Sequence, residues 1–155
     1  MKTLTGMFAT LLLVAGYPAS AGDCPAEVIS AVLKAHAGAK TLSCDDEREE
    51  GSTFYEVKIR TADGKKLEVE VDPDGTILVT EERVPSGDVP AAVVHALHAK
   101  YADAKIKDAE RLTAGTGEVS YEITFVAGAG EKSMTVTEAG VVVDVEDDDD
   151  DEHDD

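Results

Sequence analysis

The chain has 155 residues, with 33 Asp and Glu against 14 Lys and Arg and a formal net charge of -19. That length holds one or two small domains and excludes a large multidomain enzyme. The charge, with no compact Lys/Arg cluster to offset it, excludes a nucleic-acid binder, while 43% hydrophobic residues still allow a packed core.

Residues 1–21 read as a secretory signal. Lys2 lies in a short start, an apolar stretch ends in Leu11, Leu12, Leu13, Val14 and Ala15, and Ala19-Ser20-Ala21 supplies small residues for cleavage after Ala21. A membrane anchor needs about 20 apolar residues, and Thr3, Thr5, Gly6, Thr10, Gly16 and Pro18 interrupt this run. Asp23 stands before Cys24 where lipid attachment needs a small residue, and no spanning segment follows, so the expected location is periplasmic or secreted. In such an oxidising compartment Cys24 and Cys44 can form a disulfide. Closing that loop of roughly 20 residues would add about 3 kcal/mol in the chain-entropy picture. The competing reading is two buried free thiols. A thiol oxidoreductase would more typically carry C-x-x-C.

Behind the leader the chain aligns with itself at an offset of 65 or 66 residues. Pro25 to Val32 falls on Pro90 to Leu97, Tyr55-Glu56-Val57-Lys58-Ile59 on Tyr121-Glu122-Ile123-Thr124-Phe125, and Asp74-Gly75-Thr76 on Ala139-Gly140-Val141. In chain order, a helix is expected from Pro25, because Val28, Ile29, Val32 and Leu33 share one stripe. Thr41 to Arg48 is a candidate first strand. Tyr55, Val57 and Ile59, then Leu67, Val69 and Val71, then Ile77 and Val79 alternate with polar residues as half-buried strands. Asp63-Gly64 and Asp74-Gly75 supply the positive φ of tight turns between them. Pro85-Ser86-Gly87-Asp88 makes a short turn before a second helix on Val93, Val94, Leu97 and Tyr101. Ile106 to Leu112 and the strands from Tyr121 onward then repeat the order. The expected fold is α+β: two repeats, 22–84 and 85–145, each a helix packed on a three- or four-stranded antiparallel meander. The short connection allows both meanders to run on into one sheet.

These residues carry a resemblance. A leader followed by two copies of helix, Tyr-Glu-Val or Tyr-Glu-Ile strand, charged hairpin and Asp-Gly or Ala-Gly turn resembles the PepSY-like family, in the tandem arrangement related to beta-lactamase inhibitory protein. The first repeat, Phe54 to Lys65 with Leu67 to Val71 and Asp72 to Gly75, holds the pattern, and the second departs from it. The resemblance implies a non-catalytic exported module that restrains peptidases or binds other proteins, with no cofactor. It carries over no beta-lactamase contact, because the chain has no Trp and few aromatic anchors.

Four local features invite a chemical role. Glu70 to Glu81 matches an EF-hand loop at several positions, but Glu at position one, Pro at position four and flanks of period two favour a hairpin. Residues 146–155 hold nine carboxylates and His153, read as a disordered acidic tail in which Asp147, Asp148, Asp149, Asp150 and Asp151 weakly collect Ca2+. His95 and His98 lie three apart without a third metal ligand, and His36 is a lone helix residue. Ala127-Gly128-Ala129-Gly130 is a hairpin, not a phosphate loop, since no helix or Lys follows. Nothing marks a nucleophile beside a base. The sequence therefore points to a non-enzymatic module that binds an extracytoplasmic protein or peptide through its sheet or strand edges, with no nucleic acid and no membrane insertion. The alternating Glu56, Lys58, Arg60, Lys66, Glu68 and Glu70 form a charged face expected of any half-solvated sheet. The alternative is an acidic cation-binding or matrix-associated protein acting through Asp147 to Asp151.

Overall fold

The structure, a computed structural model, describes residues 24–49 and 51–147. The leader with its Ala21 cleavage site, and Asp148 to Asp151 of the tail, lie outside the described residues. Helix α1, Ala26–Ala35, and helix α2, Ala91–Lys100, each begin directly after a proline. Proline cannot donate and its ring fixes φ, so it suits the entry to a helix. The carbonyls of Pro25 and Pro90 accept the amides of Ile29 and Val94 at 3.2 and 3.1 Å. Val28 and Val32 on α1, and Val93 and Leu97 on α2, are wholly buried, four residues apart on one stripe. Leu33, expected on that stripe, is 39% exposed at its edge.

Eight strands follow the chain order in one antiparallel sheet: β1 Lys40–Glu49, β2 Ser52–Arg60, β3 Lys66–Val71, β4 Ile77–Arg83, β5 Lys105–Ala114, β6 Val119–Ala127, β7 Gly130–Thr137 and β8 Val142–Asp147. The two expected meanders are thus one continuous sheet. The acidic first strands form and run longer than Thr41–Arg48 and Ile106–Leu112. The joint is β4 on β5, paired from Val79 with Ala114 to Arg83 with Glu110. Pro85, a 3-10 turn at Ser86–Asp88 and α2 carry the chain between them. Gly115 donates its amide to the Leu78 carbonyl at 2.8 Å, and the Ile77 carbonyl leaves no room there for a side chain.

Directly opposed residues of an antiparallel sheet share a face. Val57 opposite Val69 and Ile59 opposite Leu67 form the floor under α1. Ile123 between Ala109 and Met134, with Tyr121 opposite Val136, forms the floor under α2. Val69, Thr80 and Thr113 carry that face across the joint, so both helices lie on the same side. The architecture is two layers, helices on sheet.

Several irregularities stand 65 residues apart. Register shifts fall between Thr41 and Ser43 and between Ile106 and Asp108, and again between Glu70 and Val71 and between Thr135 and Val136. Gly75 and Gly140, at φ 89° and 86°, turn their hairpins tightly under the first turn of each helix. A Cβ there would lie 3.2 Å from the Glu27 carbonyl oxygen and 2.8 Å from that of Ala92. Cys24 and Cys44 form a disulfide, their Cα atoms 6.2 Å apart, tying the entry of α1 to β1. Val89 and Ala109 stand at the matching places of the second half, both in its core.

Candidate binding face

The side of the sheet away from the helices is covered by no described element. Alternation on β2 sends Val57 and Ile59 to the helices and Glu56 and Lys58 to this open side. Registration extends the set: Glu56 lies opposite Glu70, and Glu68 opposite both Lys58 and Glu81. Past the joint, Glu110 lies opposite Arg83 and Glu122. Carboxylates from five consecutive strands therefore share one face. Apolar side chains are set among them: Leu112 directly opposite Glu81, and Phe54 two residues before Glu56, with exposures of 4% and 6%.

Arg60 and Lys66 stand opposite each other at the end of β2 and β3, and nearer the middle of the face the cations are Lys58 and Arg83. Lys58 bridges Glu56 at 3.0 Å and Glu68 at 3.3 Å. Arg83 contacts Asp108 at 2.8 Å and Glu110 at 3.7 Å. Glu81 has no ion-pair partner among the described residues. Burial, with Glu70, Glu110, Glu68 and Glu122 around it, pushes its carboxyl up to about 8. Burial and the neighbouring Glu110 and Glu146 push Glu122 up to about 7. Glu56 and Glu110 are also raised by burial, against the pull of Lys58 and Arg83.

The other candidate residues are dispersed. Glu70 to Glu81 is the β3–β4 hairpin, not an ion loop: Asp72 accepts the Asp74 amide at 3.1 Å, and Asp74 accepts the amide and hydroxyl of Thr76 at 2.9 and 2.7 Å. Those bonds, the Thr76 hydroxyl foremost, hold the Asp74 carboxyl below its usual range and use the acids to fix the turn. His95 and His98 are exposed on α2, and no group of three His, Cys, Asp or Glu among the described residues converges to hold a metal. Of the tail acids, Glu146 and Asp147 fall within the described residues; they end strand β8, so the tail expected to be disordered from residue 146 is ordered at its first two positions by pairing with β7. A surface groove at the joint is lined by Lys65, Lys66, Arg83 and Lys107, of which Lys65, Arg83 and Lys107 are paired with Glu82, Asp108 and Glu131.

From sequence the charged positions of β2 and β3 are expected to form an ordinary wet face. Glu81, Glu110 and Glu122 join that face only through the strand register, and Glu56, expected to be exposed, is only 8% so. The available signal was the recurrence of Tyr-Glu before a core residue at Tyr55 and Tyr121, which places Glu56 and Glu122 on the same side of matching strands.

Residues 25–75 match the PepSY family, described as the peptidase propeptide and YPEB domain. No curated protein matches the chain by sequence. Among solved structures, the fold is similar to a DUF2874 family protein from Bacteroides uniformis, at 16% identity and TM-score 0.66, covering 80% of this chain and 89% of that one. A DUF2874 family protein from Bacteroides ovatus shares 16% identity at TM-score 0.65, over 81% of this chain and 89% of its own. A BLIP-like protein from Bacteroides fragilis shares 20% identity at TM-score 0.63, again over 81% and 89%. The chain therefore has a PepSY-like, BLIP-like α+β fold. Among the described residues no helix is long and apolar enough to cross a membrane.

Proposed function

We propose that this is an exported, non-catalytic binding or inhibitor-like module whose open sheet face engages an extracytoplasmic protein or peptide presenting Lys and Arg. In this reading residues 22–84 and 85–145 are two copies of one unit, and 1–21 is removed on export. The observation that carries it is the uncovered side of the sheet, where carboxylates from five strands stand with Lys58 and Arg83 in ion pairs among them. The acidic excess of the face selects a basic partner and speeds its approach. A basic peptidase is one target that fits. Cation capture by Asp147 to Asp151 is a separate proposal, tested by removing residues 146–155 and measuring Ca2+ uptake.

The test is affinity capture from the native exported fraction with residues 22–155, beside a Glu68→Lys/Glu122→Lys variant and a helix-side Lys34→Glu/Lys100→Glu variant. A stoichiometric partner held by the wild type and the helix-side variant, and lost by the sheet-face variant, supports the reading. Retention by the sheet-face variant and loss by the helix-side variant would overturn it.

A further inference from the structure

We propose that the open face makes this fold proton-linked: in the directly opposed carboxylate pairs Glu56–Glu70, Glu68–Glu81 and Glu110–Glu122 of the sheet, Glu56, Glu81, Glu110 and Glu122 take up protons on folding, so the folded chain is firmest in mild acid and loosens as they ionise. The inference does not depend on what the face binds.

The geometry is that of the strand register. Opposed side chains leave the backbone with Cβ atoms about 5 Å apart, and like charges so placed repel. Water weakens that repulsion on a fully exposed sheet, but here Glu56 is buried and the other five are partly buried. Two carboxylates brought this close are relieved when one of them carries a proton.

The surroundings settle which groups keep the proton. Glu81 on β4 meets Glu68 and Glu70 on β3, Leu112 and Glu110 on β5 and, one strand further, Glu122 on β6. Glu122 on β6 meets Glu110 on β5, Thr135 on β7 and, beyond it, Glu146 on β8. Glu56 also faces Asp45 opposite it and Glu47, both on β1; the cations are Lys58 with Glu56 and Glu68, Arg83 with Asp108 and Glu110, and Arg60 opposite Lys66 at the end of β2 and β3. Burial first, and then these neighbouring acids, carry the Glu81 carboxyl to about 8 and that of Glu122 to about 7.

The direction follows by linkage. Unfolding returns these carboxyls to the ordinary range near 4.5. Between that value and about 8 the native chain holds protons that the unfolded chain has released. Stability therefore falls as pH rises through this window, with Glu122 ionising first and Glu81 after it.

Urea unfolding of residues 22–155, disulfide intact, at pH 5.5 and pH 8.5 tests the linkage. The unfolding constant is expected to rise roughly tenfold or more between them. Glu81→Gln/Glu122→Gln, whose amides resemble the protonated acids, is expected to flatten the dependence and to be the more stable chain at pH 8.5. A pH-independent wild type, or a variant with an undiminished slope, overturns the proposal. Carbon-13 titration of the Glu carboxyls in the wild type gives a readout that needs no variant. At least two midpoints above pH 6 are expected, and a full set in the ordinary range overturns the proposal as well.

Discussion

The two halves of the sheet solve one packing problem by different chemistry. In the first, the entry of α1 is tied to β1 by the Cys24–Cys44 disulfide. In the second, Val89 and Ala109 occupy the matching places and join a core that also holds Tyr121, Ile123, Phe125 and Met134. The residue closing each helix differs in the same sense. His36 caps α1, whereas Tyr101 caps α2 and packs its ring 4.9 Å from that of Phe125. One geometry is thus supported by a covalent tie in one half and a bulkier apolar core in the other, and the half with the smaller side chains is the half with the cross-link.

The largest effect should come from emptying the richer core. Phe125→Ala removes a wholly buried ring and is expected to cost about 3–5 kcal/mol in urea unfolding. Next, Cys24→Ser/Cys44→Ser should cost about 3 kcal/mol. Cys24→Val/Cys44→Ala, which gives the first half the chemistry of the second, should lose less. Equal losses would show that Val and Ala support only their own half. Smaller still, Gly140→Ala and Gly75→Ala should each cost about 1–2 kcal/mol for a side chain at positive φ. Gly140→Ala should be the worse, because the Ala92 carbonyl stands closer than that of Glu27. The smallest effect is expected from Lys58→Gln, under about 1 kcal/mol for a partly exposed ion pair. Its clearer mark should be a higher titration midpoint for Glu56, read by carbon-13 NMR, with Glu122 unmoved.

The helices, turns and inner strand faces were legible because each depends on neighbours in sequence. Val28 and Val32 announce a stripe, and Asp74-Gly75 announces a turn, whatever the rest of the chain does. The single sheet was legible only as one of two arrangements, since β4 finds β5 across an intervening helix. The need for Gly115 at that joint appears only when the Ile77 carbonyl is in place. The open face was half legible. Alternation placed Glu56, Lys58, Glu68 and Glu70 together, but β4 and β5 alternate poorly, as in Thr80-Glu81-Glu82-Arg83 and Asp108-Ala109-Glu110-Arg111. Adding Glu81, Glu110 and Glu122 required the register, a non-local property that no window of sequence contains. The burial of Glu56 was hidden for the same reason. The Cys24–Cys44 pairing needed no register, because the chain has only two cysteines.

The most direct test of binding through the open face is an NMR titration of residues 22–155, labelled at Glu carboxyls and Leu and Val methyls, with the partner recovered by capture. The account predicts shifts at Glu68, Glu81, Glu122 and Leu112, with Leu33 and Val94 on the helix side unmoved. Shifts confined to Leu33, Val94 and their neighbours, with the sheet-face carboxyls unchanged, would contradict it.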